Sequence, residues 1–295
     1  MKSLFYFAII CIAVTACNKS SKEVKVRIID KSIDKLKPHD VKLGKVAPGD
    51  WLDEHLESGQ TFEQYIKIKP VSSTRERNRI YLQPIGKLTE VDDSIIANTA
   101  SYLKIFFELE TIILPTIEDS IVPSSARRIN SGSTQLLAGY ILNYLEARVP
   151  EDAASVMAIT PVDLYPANNW NFVFGLARTK KRVGVSSFNR YRPDSLDTPT
   201  YSKCLERLIK TSSHEIGHMF GCEHCIYAVC VMNGSNSMRE SDSIPNRLCT
   251  SCLAKLQWNL GFEVKPRLKN LMDFFSRHKL GKDYDYSKAD LVLLN

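Results

Sequence analysis

Three histidines and a glutamate fall within one short stretch: His214-Glu215-Ile-Gly-His218-Met-Phe-Gly221-Cys-Glu-His224. Spaced four apart, His214 and His218 project from one face of a helix and can share a metal ion. Glu215 stands beside the first of them, where a carboxylate can take a proton from a metal-bound water. Gly221 follows three residues after His218 and suits a left-handed helix end; the turn brings His224 back to the same metal. Three neutral imidazoles leave a fourth position open, as a catalytic rather than a structural zinc site requires. His39, His55 and His278 have no ligand-type partner nearby in sequence and read as ordinary core or surface residues.

A second pattern overlaps the first. Cys225-x4-Cys230 is followed by Cys249-x2-Cys252. Four thiolates in two knuckles make the ligand set of a closed structural zinc site. Two disulfides are the competing reading, natural for an exported protein; spacing favours zinc, because a Cys-x2-Cys loop seldom closes as a stable disulfide. Cys204 and Cys222 lie too far apart along one helix to bridge each other and are expected as buried free thiols. Because His224 and Cys225 are consecutive, the two metals are expected on the order of 10 Å apart.

The elements that must position these residues follow from periodicity. Trp51 to Ile68 reads as one helix. Arg79 to Gln83 and Thr111 to Leu114 read as strands, with a helix from Asp92 to Phe107 between them. A second amphipathic helix is expected over Gln135 to Leu145. Three strands follow, Ser155 to Thr160, Phe172 to Ala177 and Arg182 to Ser187, and then helices, with one continuous helix from Ser202 to Gly221. That order predicts an α/β fold around a mixed sheet.

His214 to Cys225, Cys230-Val231-Met232, and Cys249 with Cys252 together resemble the archaemetzincins, a family within the metzincin clan of zinc peptidases. Tyr81 to Gly86, Asp163 to Pro166 and Trp51 to Phe62 are similar to the same family, so the resemblance spans about residues 50 to 265. It implies a metzincin-like fold: a twisted mixed sheet, a backing helix, an active-site helix and a Met-turn formed by Met232 beneath the zinc. The tyrosine frequent just beyond the clan's Met-turn is replaced here by Asn233 and Gly234. The resemblance also implies a peptide or protein substrate held extended along the Phe172 to Ala177 strand, with side-chain selection by the Asn233 to Arg247 loop. The function expected is a zinc-dependent metallopeptidase that hydrolyses peptide bonds through a zinc-activated water, with Glu215 as general base and two zinc ions, one catalytic and one structural. A non-catalytic, zinc-stabilised envelope binding protein is the alternative; Glu215 argues against it, since a structural site needs no base.

Composition and the N-terminus bound the rest. A 44% apolar, 24% charged chain of 295 residues buries a core without disulfide staples. A net charge of +6, with no dense basic stripe, argues against nucleic acid as a partner. No apolar run reaches the roughly 18 residues of a membrane-spanning helix. Met1-Lys2, the apolar stretch Leu4 to Ala16 and then Cys17 resemble a bacterial lipoprotein signal, cleaved before Cys17 with lipid on its sulfur. The expected organisation is a signal peptide over 1–16, a tether and lead-in over 17–50, and one catalytic domain over 51–295. The implied location is the bacterial cell envelope, held to the membrane through a lipid anchor at Cys17.

Overall fold

The computed structural model describes residues 28–193, 195–196 and 198–295. Cys17 and the signal segment lie outside the described residues. After a 3-10 helix over Lys31–His39, the elements are α1 (Trp51–Glu54), α2 (Phe62–Lys67), β1 (Arg79–Pro84), α3 (Glu90–Phe107), β2 (Glu110–Ile113), β3 (Arg127–Asn130) and β4 (Ser133–Leu137). They continue with α4 (Ala138–Glu146), β5 (Ala153–Thr160), β6 (Asp163–Tyr165), β7 (Gly175–Arg178), β8 (Val183–Ser187), α5 (Pro199–Met219), α6 (Met238–Ser243), α7 (Thr250–Leu260), α8 (Val264–Arg277) and α9 (Gly281–Leu293).

The main sheet has the order β2-β1-β5-β8-β7. Its first four strands are parallel, and β7 runs antiparallel to β8 at the edge. The central strand β5, AASVMAIT, is buried at every position. A strand covered on both faces reads as a near-continuous apolar run rather than an alternating one, here interrupted only by the small hydroxyl residues Ser155 and Thr160. Helices α3 and α5 pack together on one face with Leu82, Met157 and Ile159, while α4 covers the other with Val156, Ala158 and Val185. A second, three-stranded sheet, β3-β4-β6, extends the molecule beside the cleft. The expected mixed α/β sheet with its backing and active-site helices is present.

Several local expectations are corrected. Trp51 to Ile68 is two short helices, because Gly59 adopts φ +70 and Thr61 opens a new helix with a reciprocal capping box to Gln64. Gln135 to Leu145 splits into β4, where Gln135 pairs with Asp163, and α4. The continuous apolar run hides that boundary. The edge strand begins at Gly175 rather than Phe172, and only Val173 bridges, to Leu164. Residues 28–50 are more than a lead-in: Ile33 and Leu36 of the 3-10 helix are buried in the main core.

Candidate active site

Helix α5 carries the first two histidines. Thr198 caps its start by accepting the Tyr201 N–H at 3.1 Å, and Pro199 occupies the first turn. Its apolar stripe, including Leu205, Leu208, Ile216 and Met219, is buried and fixes the helix rotation. Gly221, at φ +88, ends it: its N–H reaches His218 O at 2.8 Å and the Cys222 N–H reaches Gly217 O at 3.0 Å. These paired bonds form a Schellman motif. A Cβ at Gly221 would lie 2.6 Å from Pro70 Cβ, so both the turn and the packing demand glycine.

Past that turn, His224 returns to the helix face. One side-chain nitrogen from each of His214, His218 and His224 lies within 4.8 Å of the others. Nδ1 of His214 is 2.8 Å from Val231 O and Nδ1 of His218 is 2.6 Å from Cys222 O. A nitrogen bonded to a carbonyl must carry the hydrogen, so each Nε2 presents a lone pair. The two Nε2 atoms are 3.0 Å apart. Two lone pairs at that distance repel unless they share a cation. Burial, and then the neighbouring imidazoles, hold His214 well below the usual histidine range, and burial with His224 brings His218 to about 4. These are neutral nitrogen donors, and the set fits zinc.

Glu215 is buried one residue from the first imidazole. Its carboxylate stands against Gly175 of β7, where a Cβ would lie 2.8 Å from Oε1. Burial pushes the carboxyl up to about 8; a divalent cation on the imidazoles would oppose that rise. Glu215 and the three histidines line one cavity of about 760 Å³. Gly175, Leu176 and Ala177 form one wall, and Asn233, Asn236 and Ile244 belong to another. Met232 is buried beneath, its Sδ 2.5 Å from where a Gly217 Cβ would stand.

The sulfur cluster adjoins this site. Thiols of Cys225, Cys230, Cys249 and Cys252 lie within 4.8 Å of one another, all buried, with no disulfide among the described residues. Hydrogen bonds from Cys230, Cys249 and Cys252 hold Cys225 far below the ordinary thiol range. Burial raises Cys230, and hydrogen bonding with Cys225 raises Cys252. Cys230 Sγ also receives the Cys249 N–H at 3.3 Å. Such a converging, anion-forming thiol set suits one zinc ion. Asn233 holds the loop: its Oδ1 accepts the Cys230 N–H at 2.7 Å, and its Nδ2 donates to Cys225 O at 2.6 Å. Cys204 and Cys222 are buried free thiols.

Sequence reasoning missed several residues at the site. His55 is no part of the imidazole cluster, as expected, but its ring lies 4.0 Å from that of Trp51 and is stacked with that of Trp170 at 6.1 Å, two residues that line the cavity. Glu57 Oε1 meets His224 Nδ1 at 2.6 Å. Lys210, one turn before His214, borders the cavity and donates to Ser241 O at 2.8 Å; burial lowers its ammonium to about 8. His39 pairs with Asp290 and His278 packs on Phe274, both away from the imidazole cluster.

Residues 88–258 match peptidase family M54. Archaemetzincin-2 of Homo sapiens is 37% identical over 259 residues, covering 77% of this chain and 72% of that protein. The archaemetzincin of Pyrococcus furiosus is 33% identical over 187 residues, 63% of this chain and 95% of that one. Among solved structures, the archaemetzincin of Methanopyrus kandleri is similar with a TM-score of 0.50 and 27% identity, covering 64% of this chain and 98% of that one. About a third of this chain therefore lies beyond each archaeal match.

Proposed function

Because the chain belongs to the archaemetzincin family of zinc metallopeptidases, we propose that His214, His218 and His224 hold a catalytic zinc and that Glu215 is the general base of peptide-bond hydrolysis. The observation that carries this reading is the convergence of three imidazoles beside the buried carboxyl of Glu215, in the wall of one cavity. A zinc ion bound there would supply Lewis acidity to a water and to the scissile carbonyl. Glu215 accepts the proton of the attacking water and returns it to the leaving amine. The exposed side of β7 offers backbone N–H and C=O groups to an extended peptide, a sequence-tolerant way of binding. The facing 233–247 segment, which contains the short helix α6, selects side chains. Cys225, Cys230, Cys249 and Cys252 hold a second, structural zinc, giving two ions per chain.

Glu215→Ala should retain two zinc ions and lose cleavage of a peptide library by about a thousandfold or more. Undiminished hydrolysis by that variant would refute the assignment. We also propose, from residues 1–17 alone, that the protein is lipid-anchored at Cys17 in a bacterial cell envelope. The mass of the mature chain from a membrane fraction tests this: a chain beginning at an acylated Cys17 is expected, and an unmodified Cys17 would overturn it.

A further inference from the structure

The three imidazoles are not held alike. His214 and His218 stand on a helix and bond to neutral carbonyls, Val231 O and Cys222 O. His224 stands after the helix has ended, and its Nδ1 meets a carboxylate, Glu57 Oε1, at 2.6 Å. Glu57 comes from a segment 167 residues earlier, outside the 88–258 family match. The same Oε1 accepts the Trp51 indole N–H at 2.9 Å, and Glu57 Oε2 is buried with no hydrogen-bond partner. The indole is fixed in turn: its ring meets that of His224 edge-on at 4.9 Å, and the Trp51 N–H reaches Glu240 at 2.9 Å. Gly234, just past the Met-turn, leaves the space the indole fills.

A carboxylate so placed does two things. It requires the hydrogen on His224 Nδ1 and so turns the Nε2 lone pair to the cluster, and it brings an acidic side chain against a site whose three ligands are imidazoles. We infer that Glu57 is a positioning residue for the catalytic zinc, acting through His224. The inference rests on the reading of the three imidazoles as a zinc site.

The test is zinc affinity, with zinc alone as the probe, measured on the full chain by competition with a chromophoric chelator. Glu57→Gln keeps the size of the side chain and an acceptor oxygen while removing the charge. It should weaken the imidazole site about 10–100-fold, the range for losing such a partner, and leave the sulfur site's zinc and the melting temperature near wild type. A purely structural role predicts the opposite, a lowered melting temperature with unchanged zinc affinity. Trp51→Phe keeps the carboxylate and removes only its indole donor; it should bind several-fold more weakly, and wild-type affinity in that variant would count equally against the inference. Affinity in Glu57→Gln within twofold of a wild type that binds two ions would overturn this inference alone. A wild type that takes up only the sulfur-site zinc would overturn the imidazole reading and this inference with it.

Discussion

One peptide bond separates His224 from Cys225, and the two side chains enter sites of opposite character. The imidazole cluster is half-buried, opens on a cavity of about 760 Å³ and keeps a carboxylate, Glu215, beside it. The thiol cluster is buried at all four positions. Both fit zinc, and the first opens on much the larger space, about 760 Å³ against about 190 Å³ beside Cys225. On the proposed reading, reactivity would depend on what surrounds the ligands as much as on the ligands themselves: a nitrogen set would leave one position open on zinc, and a sulfur set would close all four. The sealed site earns its place mechanically. Cys225 N–H bonds to Met232 O at 2.8 Å, so the turn carrying His224 and the Met-turn beneath it close on the same thiols.

The sharpest way to break this division of labour is Cys249→Ser. Cys249 is buried, touches none of the three imidazoles among the contacts described, and lies 3.6 Å from Cys225 through sulfur. Loss of the sulfur-site zinc should follow, and with it about tenfold of imidazole-site affinity, equivalent to about 1.4 kcal/mol. Zinc uptake should be compared in protein that is still folded, since a structural metal contributes to folding as well. An imidazole site of unchanged affinity would show that the two sites are neighbours without being coupled.

The two clusters also differ from their supports in how far the sequence discloses them. His214, His218, His224 and the cysteine pairs are legible because their geometry is local: a four-residue step on a helix, a glycine turn, two short loops. The main strands β1, β5 and β8 are legible because apolar runs bounded by turn residues have few alternatives. The break at Gly59 was legible too, through the Thr61 to Gln64 capping box, although the spaced aromatics of Trp51 to Ile68 suggest a single helix. Glu57 falls inside the Trp51 to Phe62 stretch that resembles the family, but no local spacing joins it to a histidine. A carboxylate 167 residues from its histidine partner looks like any surface glutamate until the fold closes. The same holds for buried Arg247, whose partners Asp40 and Asp290 are 250 residues apart in sequence.

Gly217→Ala tests the imidazole side alone, with a smaller effect. The new methyl would stand 2.5 Å from Met232 Sδ and 3.1 Å from its Cε, between the two helical histidines and the Met-turn. Overpacking of this kind costs about 1–3 kcal/mol, and a methionine can yield part of the space. The imidazole site should lose affinity by a few-fold while the sulfur site keeps its zinc. Equal weakening of both sites in a chelator titration would mean that Met232 serves the whole turn rather than the histidine cluster.

The smallest effect is expected at Asp290→Asn, which probes what lies behind both sites. Asp290 stands on α9, outside the 88–258 family match, and holds Arg247 through Oδ2 to Nε at 2.8 Å and Oδ1 to Nη2 at 3.0 Å. Asp40 binds the same guanidinium at 3.1 Å and also accepts the Thr250 N–H at the start of α7, the helix that carries Cys252. On its other side, Arg247 O accepts the Val231 N–H at 2.8 Å, and Val231 O is the acceptor for His214. One buried arginine thus backs the imidazole site through Val231 and the sulfur site through Asp40. Asparagine keeps one acceptor and Asp40 remains, so the variant should lose about 1–2 kcal/mol rather than the full cost of an orphaned buried charge. Denaturant unfolding with zinc bound measures that loss, and the chelator titration should place both affinities within about threefold of wild type. A large fall confined to the imidazole site would mean that α9 tunes that site and does not merely brace the turn behind it.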